Sequence, residues 1–560
     1  MRSRSEVRGA HLRNTQRSLW VEHDEPQSAQ LQNAQCPLWT DQPPDEGPVS
    51  EMALQPETKP ISQDQLVAEV KAIYAGLVMV EAKCIEVDKA QAHNAHDGQA
   101  NTLNNEQWQA LIALHRTLLN EHHDFFLASQ HPSASAPLRR LTTKYAMPAR
   151  MWKHGIHSFL ELLRHRSPPS SEHMRTFIYL AYSMMALLFE TVPTFEDTWI
   201  ECLGDLPRYR MAIEDDDIRD REVWTGVSRH WYSKASDKSP TTGRLYHHLA
   251  ILARPNALQQ LYYYAKSLCV PVPFASAREC IATLFDPVLP STSTHRLPLV
   301  DAAFARVHGI FFSGQSENML SDTMEEFSEL LDHHNSRVTR EWLDSGCFHS
   351  ISLARSLLGY GAESNVPKRT MSQQPDETDI SMDALLSPAK KFSQALSFAT
   401  KTYETVIRRW GDSNVLPFAH TALVFIYHMT HFPDALPHLE RTFLWKRTAI
   451  LLNSLLKSTP EPRMDGDFPR PEKDDLLRPL PEDYDMRGLV YCDEYFPKRW
   501  FDNGTMDEDE KSFIDKTNED EKVLELTSVA DERKERIYTP MGPDGYVLRG
   551  LRADRGYPLT

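Results

Sequence analysis

The residues with the clearest potential for chemistry are cations that crowd one stretch of the chain, from Leu138 to Arg166. Glu161 is the only acid in that stretch. The seven cations are Arg139, Arg140, Lys144, Arg150, Lys153, Arg164 and Arg166. On the predicted helix, a stripe of basic side chains runs beside an apolar stripe and consists of Arg150, Lys153, His157 and Arg164. Such a row predicts a groove that binds phosphate. The alternative is a solvated face that acids elsewhere in the fold neutralise.

A second short motif, Gly204-Asp205-Leu206-Pro207-Arg208-Tyr209, lies on a helix predicted to begin near Glu196. It sets a guanidinium beside a phenol, two groups that can donate hydrogen bonds to an anion. Pro207 has no amide hydrogen, so the sequence predicts a kink in this helix or a restart at that residue.

Signatures of catalysis are absent from the sequence. There is no HExxH, no glycine-rich phosphate loop, no GxSxG and no Cys/His set at metal-ligand spacing. The runs His122-His123-Asp124 and Asp332-His333-His334 lie in amphipathic patterns and are predicted to be solvated helix faces. The sequence therefore predicts a protein that is not an enzyme and needs neither a cofactor nor a metal.

The whole chain is acidic, with 560 residues and a formal net charge of -17. That balance argues against a protein that coats nucleic acid through its overall field. Seven scattered cysteines without a CxxC predict a reduced, intracellular protein. The most apolar uncharged run, from Thr176 to Phe189, falls short of the roughly 18 residues that span a bilayer, so no membrane segment is predicted.

Hydrophobic periodicity predicts an all-α fold. After Ser62, a plausible N-cap, apolar residues recur at steps of three and four, and similar patterns with short linkers continue to about residue 458. No period-two run predicts a strand. The segment Trp231-Tyr232-Ser233-Lys234-Ala235 resembles Tyr263-Tyr264-Ala265-Lys266-Ser267, and this offset of 32 residues is near the period of tetratricopeptide repeats. The sequence thus predicts stacked antiparallel helix pairs.

Composition divides the chain into four parts. Residues 1–62 are predicted to be a disordered tail, 63–290 a first helical domain and 291–458 a second domain of helical hairpins. Residues 459–560 are rich in proline and acids and are predicted to be mostly irregular, with one short helix near 519–536. A surface loop is predicted at 362–379.

The motif at Arg208 resembles a known family. The string Gly-Asp-x-x-Arg-Tyr is similar to the phosphoserine-binding motif of 14-3-3 proteins. The longer order of motifs, through Trp231-Tyr232, residues 243–253 and Tyr262-Tyr263-Tyr264, resembles the ever-shorter-telomeres family. That family includes the telomerase regulatory subunit and the nonsense-mediated-decay adaptors. The resemblance covers about 196–285 and extends more weakly back to Met151 and forward to about residue 458.

The resemblance implies a 14-3-3-like helical domain followed by helical hairpins, with a concave basic site for a phosphorylated peptide. Arg208 stands at the family's phosphate-binding arginine, and Tyr209 follows it. Decay adaptors use a lysine where this chain has His157, while Lys153 stands one turn earlier and Arg150 precedes it. The departure implies an affinity that depends on pH through His157. The nuclease domain of some decay adaptors is not expected, because residues beyond 460 lack a strand pattern.

Three functions remain open at this stage. The first is a nuclear or cytoplasmic adaptor for a phosphorylated partner of the decay-helicase type. The second is a telomerase component that binds telomeric single-stranded DNA or telomerase RNA through Arg139, Arg140, Lys144, Arg164 and Arg166. The third is a helical scaffold. Convergence of Arg208, Lys153 and His157 on one open surface would favour the adaptor, whereas a pair between Arg208 and Asp205 would favour the scaffold.

Overall fold

The computed structural model describes residues 61–96, 103–214, 217–290, 297–337, 339–362, 365, 382–409, 412–432, 441–458, 479–493, 495–501, 538–540 and 546–548. The α-helices are α1 Gln63–His96, α2 Asn105–Ser129, α3 Ala136–Arg139, α4 Leu141–Lys144, α5 Met147–Arg150, α6 Ser158–His165, α7 Ser171–Thr191, α8 Glu196–Ala212, α9 Ile218–Lys238, α10 Gly243–Leu252, α11 Ala257–Leu268, α12 Ala277–Phe285, α13 Leu299–Ser313, α14 Leu320–Arg337, α15 Thr339–Leu357, α16 Met382–Ile407, α17 Leu416–Thr430, α18 Trp445–Ser458 and α19 Pro481–Met486.

A π-helical segment, Met151–His157, joins α5 to α6. Single 3-10 turns occupy Pro193–Phe195, Glu317–Met319, Gly359–Gly361, Ser413–Val415 and Val490–Cys492. Two short strands, β1 Tyr538–Pro540 and β2 Tyr546–Leu548, form an antiparallel pair. The all-α prediction for the body of the chain is confirmed, and this small pair is the departure from it within the described residues. Among those residues, no single helix has the length and hydropathy for a membrane span, although α7 and the following Pro193–Ala212 pass that test when joined across a 108° bend.

Local capping fixes where the first helices begin. The Gln65 amide donates to Ser62 Oγ at 3.2 Å, so Ser62 is the predicted N-cap of α1. At α2, Asn104 and Gln107 exchange two hydrogen bonds of 2.8 and 2.9 Å in a capping box. Each of these bonds satisfies an amide that the helix itself leaves unpaired.

The described residues from 61 onward share one compact unit that contains two large apolar cores and a smaller one between them. The first core runs from Leu66 to Leu206 and joins α1, α2, α6, α7 and α8. The second runs from Ala250 to Cys492 and already includes residues of α10 and α11. The domain division at residue 290 stays a prediction.

The helix pairs α8–α9 and α10–α11 share one contact, a hydrogen bond from a serine hydroxyl to a glycine carbonyl. Ser228 Oγ donates to the Gly204 carbonyl at 2.7 Å, and Ser267 Oγ donates to the Gly243 carbonyl at 2.7 Å. This contact recurs after 39 residues, an interval that differs from the offset of 32 suggested by the sequence. The repeat with an offset of 32 stays a prediction.

Residues 479–493 and 495–501, called here the C-terminal segment, lie against the second core. Met486, Leu489, Tyr491 and Cys492 are buried there. Gly488 has φ +79, and a Cβ on it would lie 2.0 Å from the Pro240 carbonyl oxygen, so only glycine fits this approach. The sequence predicts an irregular segment here because proline and charge dominate it. The predicted N-terminal tail, the helix near 519–536 and nearly all of the 362–379 loop lie outside the described residues.

Candidate phosphate-binding site

Helix α8 carries Arg208 and Tyr209 and runs unbroken through Pro207. A restart at Pro207 is therefore not what the structure shows. The proline ring is buried together with Leu203 and Leu206, so apolar packing holds the helix where one backbone hydrogen bond is missing. Gly204 lies against α9, and a Cβ on it would come 3.1 Å from the ring of Tyr232.

Arg208 forms an ion pair within its own helix. Its Nη2 donates to Asp205 Oδ1 at 2.6 Å, and the Tyr232 hydroxyl donates to the same oxygen at 2.6 Å. Burial alone would raise the pKa of Asp205, but the nearby Arg208 outweighs it and holds the pKa below its usual value. The Arg208 side chain keeps 27% exposure, and its guanidinium lies 5.5 Å from the centre of the Tyr209 ring.

Tyr209 links α8 to α6. Its hydroxyl donates to Glu161 Oε1 at 3.2 Å and lies 2.9 Å from His157 Nδ1. Arg164 donates to Glu161 Oε2 at 2.6 Å through Nη2 and at 3.1 Å through Nε. Burial and the Glu161 carboxylate raise the pKa of Tyr209 to about 12, so the phenol keeps its proton at neutral pH. His157 itself is exposed.

Lys153 is exposed and lies one turn before His157 in the π-helical segment. It forms no ion pair with any residue that the structure describes. The structure thus brings Arg208, Tyr209 and His157 together on α8 and the segment leading into α6, and Lys153 lies one turn before His157 on that segment.

The π-helical segment explains why the predicted stripe of cations does not stay in line. His115, fully buried on α2, places Nδ1 3.0 Å from the Gly155 carbonyl and Nε2 3.3 Å from Asp88 on α1. A Cβ on Gly155 would lie 3.0 Å from Leu119, so glycine allows α2 to approach this turn. The wider π turn rotates the residues before it away from those after it.

The remaining predicted residues lie apart from the site. Arg150 pairs with Glu81 of α1, with Nε 3.1 Å from Oε1, and Arg166 donates to the Gln91 carbonyl at 2.9 Å. Arg139 donates to the Pro132 carbonyl at 2.7 Å. Arg140 and Lys144 are exposed and have no ion-pair partner in the described part of the chain. Arg150 and Arg166 therefore attach the basic stretch to α1, and the hydrogen bond from Arg139 stabilises the turn before α3.

Sequence reasoning did not find Tyr232 and Glu161 as residues of the site, and it named Asp205 only as an alternative partner of Arg208. Asp205 and Tyr232 anchor Arg208, and Glu161 receives the Tyr209 hydroxyl. His248 of α10 stacks on Tyr232 at 4.8 Å, and burial lowers its pKa to about 3, so it adds no charge at neutral pH. A signal for Glu161 was present, since it is the only acid in the basic stretch. Among the described residues, no group of three or more His, Cys, Asp or Glu side chains could hold a metal ion.

Comparison with known proteins first defines the class of protein. The fold matches a chain in the crystal structure of Est1 and Cdc13 over 81% of this chain and 97% of that one, with a TM-score of 0.53 and 11% identity. At that identity the match establishes an Est1-like helical array and nothing further. Residues 228–496 match the family model of the Est1 DNA/RNA binding domain. Over this range, just under half of its length, the chain is similar to proteins of the EST1/SMG family.

Three relatives share shorter segments with this chain. EST/SMG-like protein 2 of Saccharomyces cerevisiae is 25% identical over 162 residues, which are 29% of this chain and 13% of that protein. Telomerase-binding protein EST1A of Danio rerio is 38% identical over 87 residues, 15% of this chain and 5% of the relative. Nonsense-mediated mRNA decay factor SMG7 of Arabidopsis thaliana is 35% identical over 86 residues, which are 15% of this chain and 8% of that protein. The matches thus span only a small part of each relative, and by their names these relatives include a telomerase-binding protein and a decay factor.

Proposed function

We propose that this chain is a non-enzymatic adaptor that binds a phosphorylated protein through the site at Arg208. The observation that carries the proposal is the convergence of Arg208, Tyr209 and His157, with Lys153, a cation that forms no ion pair among the described residues, one turn before His157. The partner would be a phosphorylated protein of the decay-helicase type, and the chain would act in the nucleus or the cytoplasm. The similarity to a telomerase-binding protein and to a decay factor supports a place of action in the nucleus or the cytoplasm.

The pair between Arg208 and Asp205 is the arrangement that would favour the scaffold alternative, but it is also compatible with phosphate binding. Asp205 fixes the guanidinium through one nitrogen, and the side chain remains 27% exposed. An arginine already held in one geometry loses less rotamer entropy when it binds an anion. With Arg208 and Arg164 each facing an acid, Lys153 supplies the positive charge that has no partner among the described residues. Charge on an exposed lysine attracts a dianion without a prior need to break an ion pair.

The test uses the full chain and two degenerate peptide pools, one with a fixed central phosphoserine and one with serine. We expect the phosphorylated pool to bind and the serine pool not to bind. Lys153→Glu should weaken binding about tenfold to a hundredfold, the range of one charge-assisted hydrogen bond with added repulsion. Arg208→Lys, which keeps the charge but loses the planar guanidinium, should weaken it less.

Arg140→Glu is the matched control for Lys153→Glu. Arg140 is an exposed cation of the same stretch that forms no ion pair in the described part of the chain, and it lies outside the site. If Arg140→Glu weakens binding as much as Lys153→Glu does, then the attraction is a general field effect and the site is elsewhere. Equal binding of the two pools would remove the proposal altogether.

A second function, binding of single-stranded nucleic acid, is favoured by the match of residues 228–496 to an Est1 DNA/RNA binding domain. The cations first considered for this role all lie before residue 228. Within the matched range, Arg441, Lys446 and Arg447 are exposed at the start of α18. The rings of Phe443 and Trp445, which are partly exposed, meet there at 4.6 Å. Cations with aromatic rings are typical of surfaces that bind single strands.

For this second function we expect a single-stranded oligonucleotide to bind at low salt and to lose affinity steeply as salt rises. Lys446→Glu should reduce the affinity. It should also make the slope of log affinity against log salt shallower by about one unit. Lys144→Glu, in the basic stretch outside the matched range, is the control and should change neither. The absence of measurable binding at 50 mM salt, checked by fluorescence anisotropy, would exclude nucleic acid as a direct ligand.

A further inference from the structure

Glu161 places a carboxylate among the donors of the candidate site. Its Oε1 accepts the Tyr209 hydroxyl at 3.2 Å, and its Oε2 accepts two hydrogen bonds from Arg164. His165 Nε2 lies 3.8 Å from the same Oε2. The side chain is 28% exposed, so it lies at the edge of the site rather than in the core. Glu161 thus accepts hydrogen bonds from the same kinds of donor that would bind an anionic ligand.

The Tyr209 hydroxyl cannot serve two acceptors at once. A phenol has a single proton to donate, and in this structure Glu161 Oε1 is within its reach. Burial pushes the pKa of Glu161 upward, but Arg164 and Tyr209 outweigh that effect and hold the pKa below its usual value. The group is therefore a carboxylate at neutral pH. Its negative charge and its hold on Tyr209 both oppose an arriving phosphate.

We propose that Glu161 is a resident carboxylate that accepts hydrogen bonds from donors an anionic ligand would use and so sets which ligands can enter the site. The inference rests on the proposed phosphate-binding function. A phosphoserine carries close to two negative charges near neutral pH and offers three acceptor oxygens, so it can take over Tyr209 while Lys153 and Arg208 compensate its charge. A carboxylate or a sulfate ester carries one charge and gains little over Glu161. Glu161 therefore makes the site selective for a dianion.

Arg164 takes part in this arrangement without touching the ligand. Its two hydrogen bonds hold Glu161 Oε2 and neutralise part of the carboxylate's charge. Loss of Arg164 should leave Glu161 more repulsive and weaken phosphate binding. That effect should vanish when Glu161 has already been replaced by glutamine. Arg164 is thus a positioning residue, and the pair of variants forms a double-mutant cycle.

The experiment uses the full chain, with Glu161→Gln, Arg164→Gln and the double variant. The probes are the phosphoserine peptide pool, free O-phospho-L-serine, O-sulfo-L-serine and aspartate. We expect Glu161→Gln to bind the phosphorylated pool about fivefold more tightly or better, as removal of a like charge within several ångströms predicts. The preference for phosphoserine over sulfoserine and aspartate should shrink. Arg164→Gln should weaken binding only while Glu161 is present.

Glu172→Gln is the matched control, since Glu172 pairs with Arg175 on α7 with the same spacing of three residues. Glu172→Gln removes one negative charge from the chain, as Glu161→Gln does, and should leave the affinity for every probe unchanged. Melting temperatures of all variants show that each one folds, and Arg164→Gln supplies an independent test should Glu161→Gln prove unstable.

The outcomes separate the two proposals. Tighter binding by Glu161→Gln, or binding that appears only in that variant, supports the resident carboxylate. If the wild-type chain binds phosphoserine with dependence on Lys153 but Glu161→Gln binds no better, the resident carboxylate is wrong and the phosphate site stands. If neither the wild-type chain nor Glu161→Gln binds any phosphorylated probe, both are wrong.

Discussion

Lys266 shows how a single buried charge joins distant parts of this chain. Its ammonium is 2% exposed, donates to the Asp485 carbonyl at 2.7 Å and to the Tyr262 hydroxyl at 3.3 Å, and lies 4.4 Å from the centre of the Tyr246 ring. The Asp485 carboxylate accepts the Tyr262 hydroxyl at 3.1 Å. Lys266 on α11 and Asp485 on α19 thus hold the C-terminal segment against the body.

The first stability prediction concerns this pair. Asp485→Asn removes a carboxylate that accepts the Tyr262 hydroxyl beside the buried Lys266 amine, so we expect the free energy of unfolding to fall by about 1–3 kcal/mol. Lys266→Met combined with Asp485→Asn should recover much of the loss, because no uncompensated charge then remains. Urea unfolding of the three variants measures both quantities. A double variant that is less stable than Asp485→Asn alone would contradict this account of the pair.

Sequence reasoning located some site residues because their signal is local. Arg208 and Tyr209 stand in one short motif, and the structure brings them together with His157, but a role for them in phosphate binding stays a prediction. Arg150 was grouped with them because helical spacing cannot reveal Glu81, which precedes it by 69 residues and binds its guanidinium. Asp205 was anticipated only as the alternative partner of Arg208, and that pair does form. At the residue scale, the sequence therefore did not reveal partners that are distant along the chain.

Helices were predictable to within a few residues wherever an apolar stripe faces the core. The helix that carries the Arg208 motif is predicted to begin near Glu196, and the structure has Glu196–Ala212. The π-helical Met151–His157 was not predictable, because it depends on the His115 hydrogen bond to the Gly155 carbonyl across two elements. That turn decides which cations reach α8. Periodicity identifies a helix, but contacts made by its neighbours set the rotation of its ends.

The C-terminal segment is the element that composition described least well. It carries acids and prolines, yet Glu482 and Asp483 are buried. The Trp500 indole nitrogen donates to Asp483 Oδ2 at 3.1 Å, and His420 Nδ1 lies 3.7 Å from Glu482 Oε1. Buried acids need partners from other elements. Those partners come from α17 and from residue 500, so a window of sequence around residue 480 gives no sign of burial.

At the scale of the whole molecule, buried neutral histidines govern the response to acid. Burial lowers the pKa to about 3 for His248 and His308 and to about 4 for His122, His349 and His428. For His122 the prediction of a solvated helix face is wrong, because its side chain is fully buried. In the unfolded chain a histidine titrates near 6.5. Below that pH the unfolded state binds protons that the folded state refuses, so the stability that these residues confer is present above about 6.5 and is lost as pH falls toward 4.

We therefore expect the free energy of unfolding to decrease between pH 7 and pH 5. Each such histidine contributes up to about 1.4 kcal/mol per pH unit below 6.5. Three buried acids act in the opposite sense because burial raises their pKa to about 6 or 7, namely Asp301, Asp485 and Asp483. The histidines outnumber them. His349→Gln should flatten the dependence by up to one proton in urea unfolding at several pH values, and a gain of stability on acidification would contradict the assignment.

The central claim for the whole protein is that it reads a phosphate on a partner. The most direct measurement compares the affinity of the full chain for the phosphoserine pool and the serine pool, in the wild type and in Lys153→Glu. The account predicts a clear preference for the phosphorylated pool that falls by about tenfold or more in Lys153→Glu and is unchanged in Arg140→Glu. Equal affinity for the two pools, or a preference that survives in Lys153→Glu, would contradict it.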